Sequence, residues 1–271
     1  MSLHDELGTR MKEFYEQVPK TKLMRRTPVS IRVDGKAFHT FTRGFEKPFD
    51  MIMVHAMQST MKYMCEHIQG CVIGYTQSDE ITLILIDYKK LNSDAWFGYE
   101  VQKVCSIAAA MATMAFNVYF GFEVSNGFTP NDVLKTPYFH VSDFVTDIHV
   151  GCKMLKHGMF DARCFNISRE EVANLLYWRQ LDATRNSVQS VGQCYFSQKE
   201  LHGKSCNDIQ DMLLTQKNIN WNDYATNLKR GSCCIKTVDE NGRSKWIVDT
   251  EIPIFRNEGR EYIERLIRMP E

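Results

Sequence analysis

Two neighbouring acids, Asp79 and Glu80, stand in the polar segment Thr76-Gln77-Ser78-Asp79-Glu80, between the apolar runs Cys71–Tyr75 and Ile81–Ile86. Apolar runs flanking a polar tip read as a β-hairpin. Like charges side by side repel, and each raises the pKa of the other unless a cation neutralises them. A metal ion held at the turn is the economical chemistry, and a solvated hairpin loop is the alternative. A second acid stands ready to join them. Val29-Ser30-Ile31-Arg32-Val33 alternates as a half-buried strand does and runs into Asp34-Gly35-Lys36-Ala37-Phe38-His39, so Asp34 sits where a strand ends. Gly35 lets the backbone turn closely, and the N–H groups of a helix start after it suit a phosphate. If this strand pairs beside the hairpin, Asp34 and Asp79 converge. Converging carboxylates are what two-metal phosphoryl transfer needs, each Mg²⁺ taking one or two carboxylates plus substrate phosphates.

The elements that must position these acids follow from periodicity. Residues 3 to 17 read as an amphipathic helix stopped by Pro19, and a short helical start runs through Phe41. The turn-rich Arg43–Pro48 carries Lys47, either a phosphate-binding cation or an exposed loop lysine. Met53, Met57, Met61, Met64 and Ile68 recur at three- and four-residue intervals, a helical stripe of core character, and Gly70 closes that helix. From about Ser93 to Phe120 a second helix is rich in small residues, suited to close packing on a sheet. A strand at Arg163–Ile167 completes the order β-α-β-β-α-β, a ferredoxin-like arrangement in an α+β fold. Pro130, Pro137, His140, His149 and His157 lie between, and those histidines lack metal-ligand spacing.

Ser168 and Glu171, three apart before an apolar-periodic run, predict a capping box at the next helix. That helix passes through Trp178–Ser187, where amides, hydroxyls and arginines suit phosphate and sugar contacts to a nucleic acid, or simply form a polar face. A shorter helix around Ile209–Leu214 follows. Ser232–Lys236 and Lys245–Val248 then form a hairpin through Asn241-Gly242, which favours a tight turn. The tail from Glu258 to Met269 is charged and amphipathic. The division expected is 1–167 as catalytic core and 168–271 as a helical and hairpin extension packed on it.

With 271 residues, 44% of them hydrophobic, the chain buries a substantial core. Zero net charge gives no global attraction for nucleic acid and leaves only local clusters. Lys20, Lys22, Arg25, Arg26, Arg32 and Lys36 form such a window around the single acid Asp34. Nine cysteines without a CxxC pair read as reduced core thiols of a cytoplasmic protein. The N-terminus lacks the apolar core of a signal peptide, and no run is expected to reach the roughly 20 apolar residues of a membrane span.

Four segments in order, IRVDGKAFHTF (Ile31–Phe41), GYTQSDE (Gly74–Glu80), FDARC (Phe160–Cys164) and YWRQLDATRNS (Tyr177–Ser187), with a weaker LKRGSCC (Leu228–Cys234), resemble the tRNA-His guanylyltransferases and related 3′-to-5′ nucleotide-adding polymerases. The resemblance implies a polymerase-palm catalytic core that adds GTP- and ATP-derived nucleotides to a tRNA 5′ end. It implies that Asp34, the Gly35 carbonyl and Asp79 hold two Mg²⁺ ions, with Glu80 supporting the acidic centre. It further implies that Asp34, Gly35, Lys36, Ala37, Phe38, His39, Lys47, Ser78 and Asp79 bind the triphosphate. Trp178, Arg179, Arg185 and Asn186 are the tRNA-binding candidates, and a homo-tetramer is the assembly that the family implies. Where eukaryotic members carry a His-x-Asn-Asn type signature, this chain reads Thr184-Arg185-Asn186-Ser187. In this it is similar to the bacterial and phage branch, associated with templated repair of tRNA 5′ ends. Addition of one G to tRNA-His, a nucleotide cyclase and a non-catalytic RNA binder are the alternatives.

Overall fold

β1 (Val29–Gly35) is paired on both sides, and the rest of the sheet is built outward from it. The computed structural model describes residues 6–125 and 156–269. The expectations for Pro130, Pro137, His140 and His149 lie outside them. A helix α1 (Glu6–Met11), extended by a π-type turn at Lys12–Glu16, precedes β1. After β1 come α2 (Phe38–Phe41), α3 (Met51–His67), the hairpin β2 (Cys71–Gln77) and β3 (Glu80–Leu85), α4 (Val101–Val124) and β4 (Phe160–Asn166). There follow α5 (Val172–Tyr195), α6 (Gln198–Leu201), α7 (Cys206–Lys217), α8 (Thr226–Arg230), β5 (Ser232–Val238), β6 (Ser244–Asp249) and α9 (Glu261–Ile267). The fold is α+β, with one six-stranded antiparallel sheet in the order β4-β1-β3-β2-β5-β6.

Strand alternation divides the sheet into two unlike faces. Val29, Ile31 and Val33 of β1, Ile81, Leu83 and Leu85 of β3, and Phe160 of β4 point toward α3 and α4 and are buried there. The methionine stripe of α3 fills this layer, joined by Val104, Ala108, Ala112 and Phe116 of α4. Gly74 belongs to the same interface: a Cβ there would lie 2.6 Å from Cys65 Sγ. On the opposite face α5 and α9 cover the β2–β5 side, where Ile73, Ile84, Ile235, Leu176 and Ile263 form a second cluster. The β1–β4 side of that face presents Arg32, Asp34, Asp161 and Arg163 instead, the last three with side chains 41% to 62% exposed.

Three local expectations are corrected. Ser168 makes no side-chain cap, because a 3₁₀ turn at Arg169–Glu171 intervenes and the Glu171 carboxylate accepts from Asn174 Nδ2 at 3.0 Å instead. Capping boxes do form at Ser197/Glu200 and Ser205/Asp208. The expected tight turn forms over Asp239–Gly242, where the Gly242 N–H donates to the Asp239 carbonyl at 2.9 Å and Asp239 Oδ1 accepts from the N–H groups of Asn241 and Arg243. In the basic window Arg25 is engaged with the buried Asp87 and Arg26 with loop carbonyls, so both are fastenings of the fold. Finally, α4 is long and apolar enough by composition to cross a membrane, contrary to expectation. Its inner face packs against α3 and the sheet, while Ile107, Met114 and Val118 stay exposed on the other.

Candidate active site

The register brings the acids together. Asp34 lies opposite Glu80 on β3 and opposite Asp161 on β4, so one row of three carboxylates crosses three strands. Asp79 stands one step beyond that row, in the two-residue tip Ser78-Asp79 between β2 and β3. Ser78 takes a left-handed φ of 49° to close the tip, and its Oγ donates to Asp79 Oδ1 at 3.0 Å. The Gly35 N–H donates to the Asp79 carbonyl at 3.0 Å, which ties the end of β1 to the tip. Burial, reinforced by the charge of Asp34 and opposed by the Ser78 bond, leaves the Asp79 carboxyl above its ordinary pKa.

Glu80 is held differently. It is buried, and Oε1 accepts from Arg179 Nε at 2.6 Å and from Thr82 Oγ1 at 3.3 Å. Burial pushes its pKa up, Arg179 and Arg32 pull it down, and the net direction is upward. Arg179 also reaches Asp182 at 2.8 Å, and Asp182 in turn pairs with Arg185, so alternating charges climb one face of α5. Of the four tRNA candidates on α5, Trp178, Arg185 and Asn186 are exposed, whereas Arg179 is buried as the brace of Glu80. A direct Arg179 contact to RNA does not suit that position.

The turn after β1 offers a phosphate cradle. Lys36 N–H donates to the Met159 carbonyl at 2.8 Å, and Ala37 adopts a left-handed φ of 54° as α2 begins. The first intrahelical bond is Thr40 N–H to the Ala37 carbonyl, so the N–H groups of Ala37, Phe38 and His39 precede any helical partner. Lys36, Ala37 and His39 are exposed. The Phe38 ring is buried among Phe41, Phe116 and Phe160, so Phe38 can offer a ligand only its backbone. Gly35 is required by this packing, since a Cβ there would lie 2.3 Å from the Phe38 ring. Exposed Lys47 lines a cleft of about 290 Å³ together with Gln77, Ser78, Asn186, Gln193 and Asn227. Asp34 and Asp79 are not among the residues that line it.

Among the described residues no three His, Cys, Asp or Glu side chains already converge as a metal cage. Mg²⁺ does not require one, because it is held by one or two carboxylates completed by water and substrate phosphate. Asp34, Asp79 and the Gly35 carbonyl are hard oxygen donors on a partly exposed edge, and they fit such an ion. Arg163, missed by the sequence reading although it lies within FDARC, has Nη2 2.9 Å from Asp161 Oδ1 and 3.7 Å from Asp34 Oδ2. Its two-residue spacing from Asp161 was the available signal, for it places both on the face of Asp34 once β4 pairs with β1.

Acids at a strand end beside a backbone phosphate cradle are an arrangement that suits nucleotidyl transfer. The family model described as tRNAHis guanylyltransferase (Thg1) matches residues 8–168. The chain belongs to this family. It is 29% identical over 246 residues to an uncharacterized protein, R259, of Acanthamoeba polyphaga mimivirus, covering 84% of this chain and 78% of that one. It is 25% identical over 233 residues to a probable tRNA(His) guanylyltransferase of Dictyostelium discoideum, covering 79% and 77%. Among solved structures, a bacterial Thg1-like protein in complex with ATP is similar at 38% identity and a TM-score of 0.81, over 97% of this chain and 100% of that one. A bacterial Thg1-like protein in complex with GTP is similar at 36% identity and a TM-score of 0.75, over 98% and 100%.

Proposed function

We propose that this nucleotidyltransferase runs 3′-to-5′ addition: it activates the 5′ end of a tRNA and then adds nucleotides there, templated by the opposite acceptor strand. The observation that carries the reading is the convergence of Asp34 and Asp79 beside the unpartnered N–H groups at the start of α2. In this reading the strand order β4-β1-β3-β2 is a polymerase-palm core, with the β5–β6 hairpin added to its β2 edge. Asp34, Asp79 and the Gly35 carbonyl hold two Mg²⁺ ions, which when bound neutralise phosphate charge and lower the pKa of an attacking 3′-hydroxyl. The chain's own residues position the reactants. The N–H groups of Ala37, Phe38 and His39, with Lys36 and Lys47, receive the triphosphate of GTP or ATP. Arg179 fixes Glu80 behind the acids, and Trp178, Arg185 and Asn186 face the tRNA. Homo-tetrameric assembly belongs to the same proposal; the exposed stripes Leu7, Met11, Phe14, Val18 and Ile107, Met114, Val118 are apolar surface of the kind that assembly covers.

Templated repair is preferred over addition of one G because Thr184-Arg185-Asn186-Ser187 replaces the eukaryotic signature. The likeness to bacterial Thg1-like structures supports the same branch. The test is nucleotide addition to 5′-truncated tRNAs, with Mg²⁺, ATP and each nucleoside triphosphate in turn, beside intact tRNA-His. Incorporation following Watson–Crick pairing on several tRNAs is expected. A single G on tRNA-His only restores the narrower activity, and a cyclic nucleotide formed from GTP without RNA replaces the reading with a cyclase.

A further inference from the structure

Directly behind the carboxylate row lies a cationic one. Arg32 pairs across the strands with Arg163 on β4 and with Thr82 on β3, two residues inward from Asp34, Asp161 and Glu80 and on the same face. None of the described residues covers the pair completely: Arg32 is half-buried and the Arg163 side chain is 48% exposed. Arg32 Nε is buried without a hydrogen-bond partner, a donor that the fold leaves unused. Its guanidinium lies 5.9 Å from the centroid of the Trp178 ring, and that indole is 53% exposed. An arginine pair beside an exposed aromatic matches the chemistry of a nucleic-acid strand, guanidinium for phosphate and indole for a base face.

Resting on the nucleotidyltransferase reading above, we infer that Arg32, Arg163 and Trp178 form the seat for the tRNA acceptor strand. The arginines hold a backbone phosphate next to the reacting 5′ end, and Trp178 stacks a base. The distance fits. Two residues along a strand advance about 7 Å, which is comparable to the step between successive phosphates of one RNA strand. A 5′-phosphate at the Asp34–Asp79 end therefore places the neighbouring phosphate over the arginine row. Arg163 keeps its 2.9 Å bond to Asp161 and stands 3.7 Å from Asp34, longer than a hydrogen bond, so its remaining N–H groups are the ones a phosphate would take. Among the described residues no other cation stands on this strand row: Arg179, 4.4 Å from the Trp178 centroid, is committed to Glu80, and Lys36 and Lys47 lie toward the triphosphate cradle and the cleft.

The test is binding of a 5′-phosphorylated acceptor-stem hairpin RNA to the full chain in Mg²⁺ without nucleoside triphosphate, measured by fluorescence anisotropy across a KCl series. Wild type, Arg163→Gln, Arg32→Gln and Trp178→Ala are compared, and ATP and GTP binding is measured in parallel. Each arginine variant should weaken RNA binding roughly tenfold and reduce the slope of log Kd against log salt by about one. Trp178→Ala should weaken it about tenfold with the slope unchanged. Nucleotide affinity should not move in any of them. Arg163 is exposed, so Arg163→Gln keeps the test decisive even if Arg32→Gln folds poorly. Unchanged RNA affinity and slope in Arg163→Gln overturns the seat while leaving the enzyme reading intact. Nucleotide affinity falling in step with RNA affinity also overturns it, assigning the arginines to the triphosphate. A wild type that binds no RNA overturns both the seat and the function it rests on.

Discussion

Two carboxylates on the same row of the sheet, Glu80 and Asp34, each face an arginine, and the two pairs behave as opposites. Arg179 and Glu80 are each 8% exposed at the side chain and meet at 2.6 Å, whereas Arg163 and Asp34 are 48% and 41% exposed and stand 3.7 Å apart. Taking two charges from water is costly, so the buried pair persists only because each partner answers the other and Thr82 and Asp182 satisfy what remains. The outer pair is screened by solvent and worth little to the fold. Burial thus separates an acid that is fixed from one that is free to exchange partners, and the exchangeable acid is the one a metal can use.

The sharpest way to break this contrast is chemical. Asp34→Ala and Asp79→Ala should each abolish nucleotide addition while leaving tRNA binding largely intact, assayed by single-turnover addition and by RNA binding on the same samples. Near-normal turnover in either would falsify the assignment of the exchangeable acids. Next comes stability. Arg179→Met strands the buried Glu80 carboxylate and should lower unfolding free energy by about 3–5 kcal/mol, read from the urea midpoint. Arg163→Gln in the same titration should cost no more than about 1 kcal/mol. If the two losses are equal, exposure does not separate the pairs. Gly35→Ala drives a methyl into the Phe38 ring and should cost about 1–3 kcal/mol, with thermal melting as the readout. The smallest effect concerns a thiol on the other face of the same strand. Burial and the Cys105 thiol at 3.5 Å push Cys164 up to about 12, so iodoacetamide should alkylate it far more slowly at pH 8 than an unfolded cysteine, as peptide mapping would show.

The acids were legible because their sequence neighbours carry clear signals. The alternation of Val29–Val33 fixes which side chains share a face with Asp34, and the apolar runs around Thr76–Glu80 fix the hairpin. The methionine stripe of α3 was equally plain, since every stripe member is buried. Arg179 was not legible as a brace: within Trp178–Ser187 the side chain that points into the protein is decided by how α5 crosses the sheet, which local pattern does not encode. Arg163 escaped for a related reason. Its spacing from Asp161 was visible, but Asp34 is far away in sequence, and only the β1–β4 register brings the two to one place. Ser168 misled because the capping-box pattern says nothing of a 3₁₀ turn that displaces the helix start to Val172.

The row Asp161–Asp34–Glu80 is assembled from three separate strands, each contributing one acid through its position in a two-residue alternation. A single-residue insertion or deletion within β1 that no bulge absorbs, as one does between Cys71 and Ile73 of β2, therefore does more than shift Asp34 by one step: it turns over the side chains on one side of the change, exchanging carboxylate or arginine with valine between the open face and the methionine and phenylalanine layer. The five-residue loop between Val238 and Ser244 carries no such parity. A residue added to that loop leaves the faces of β5 and β6 as they are, whereas one added to β1 decides whether an acid or a valine meets the metal edge.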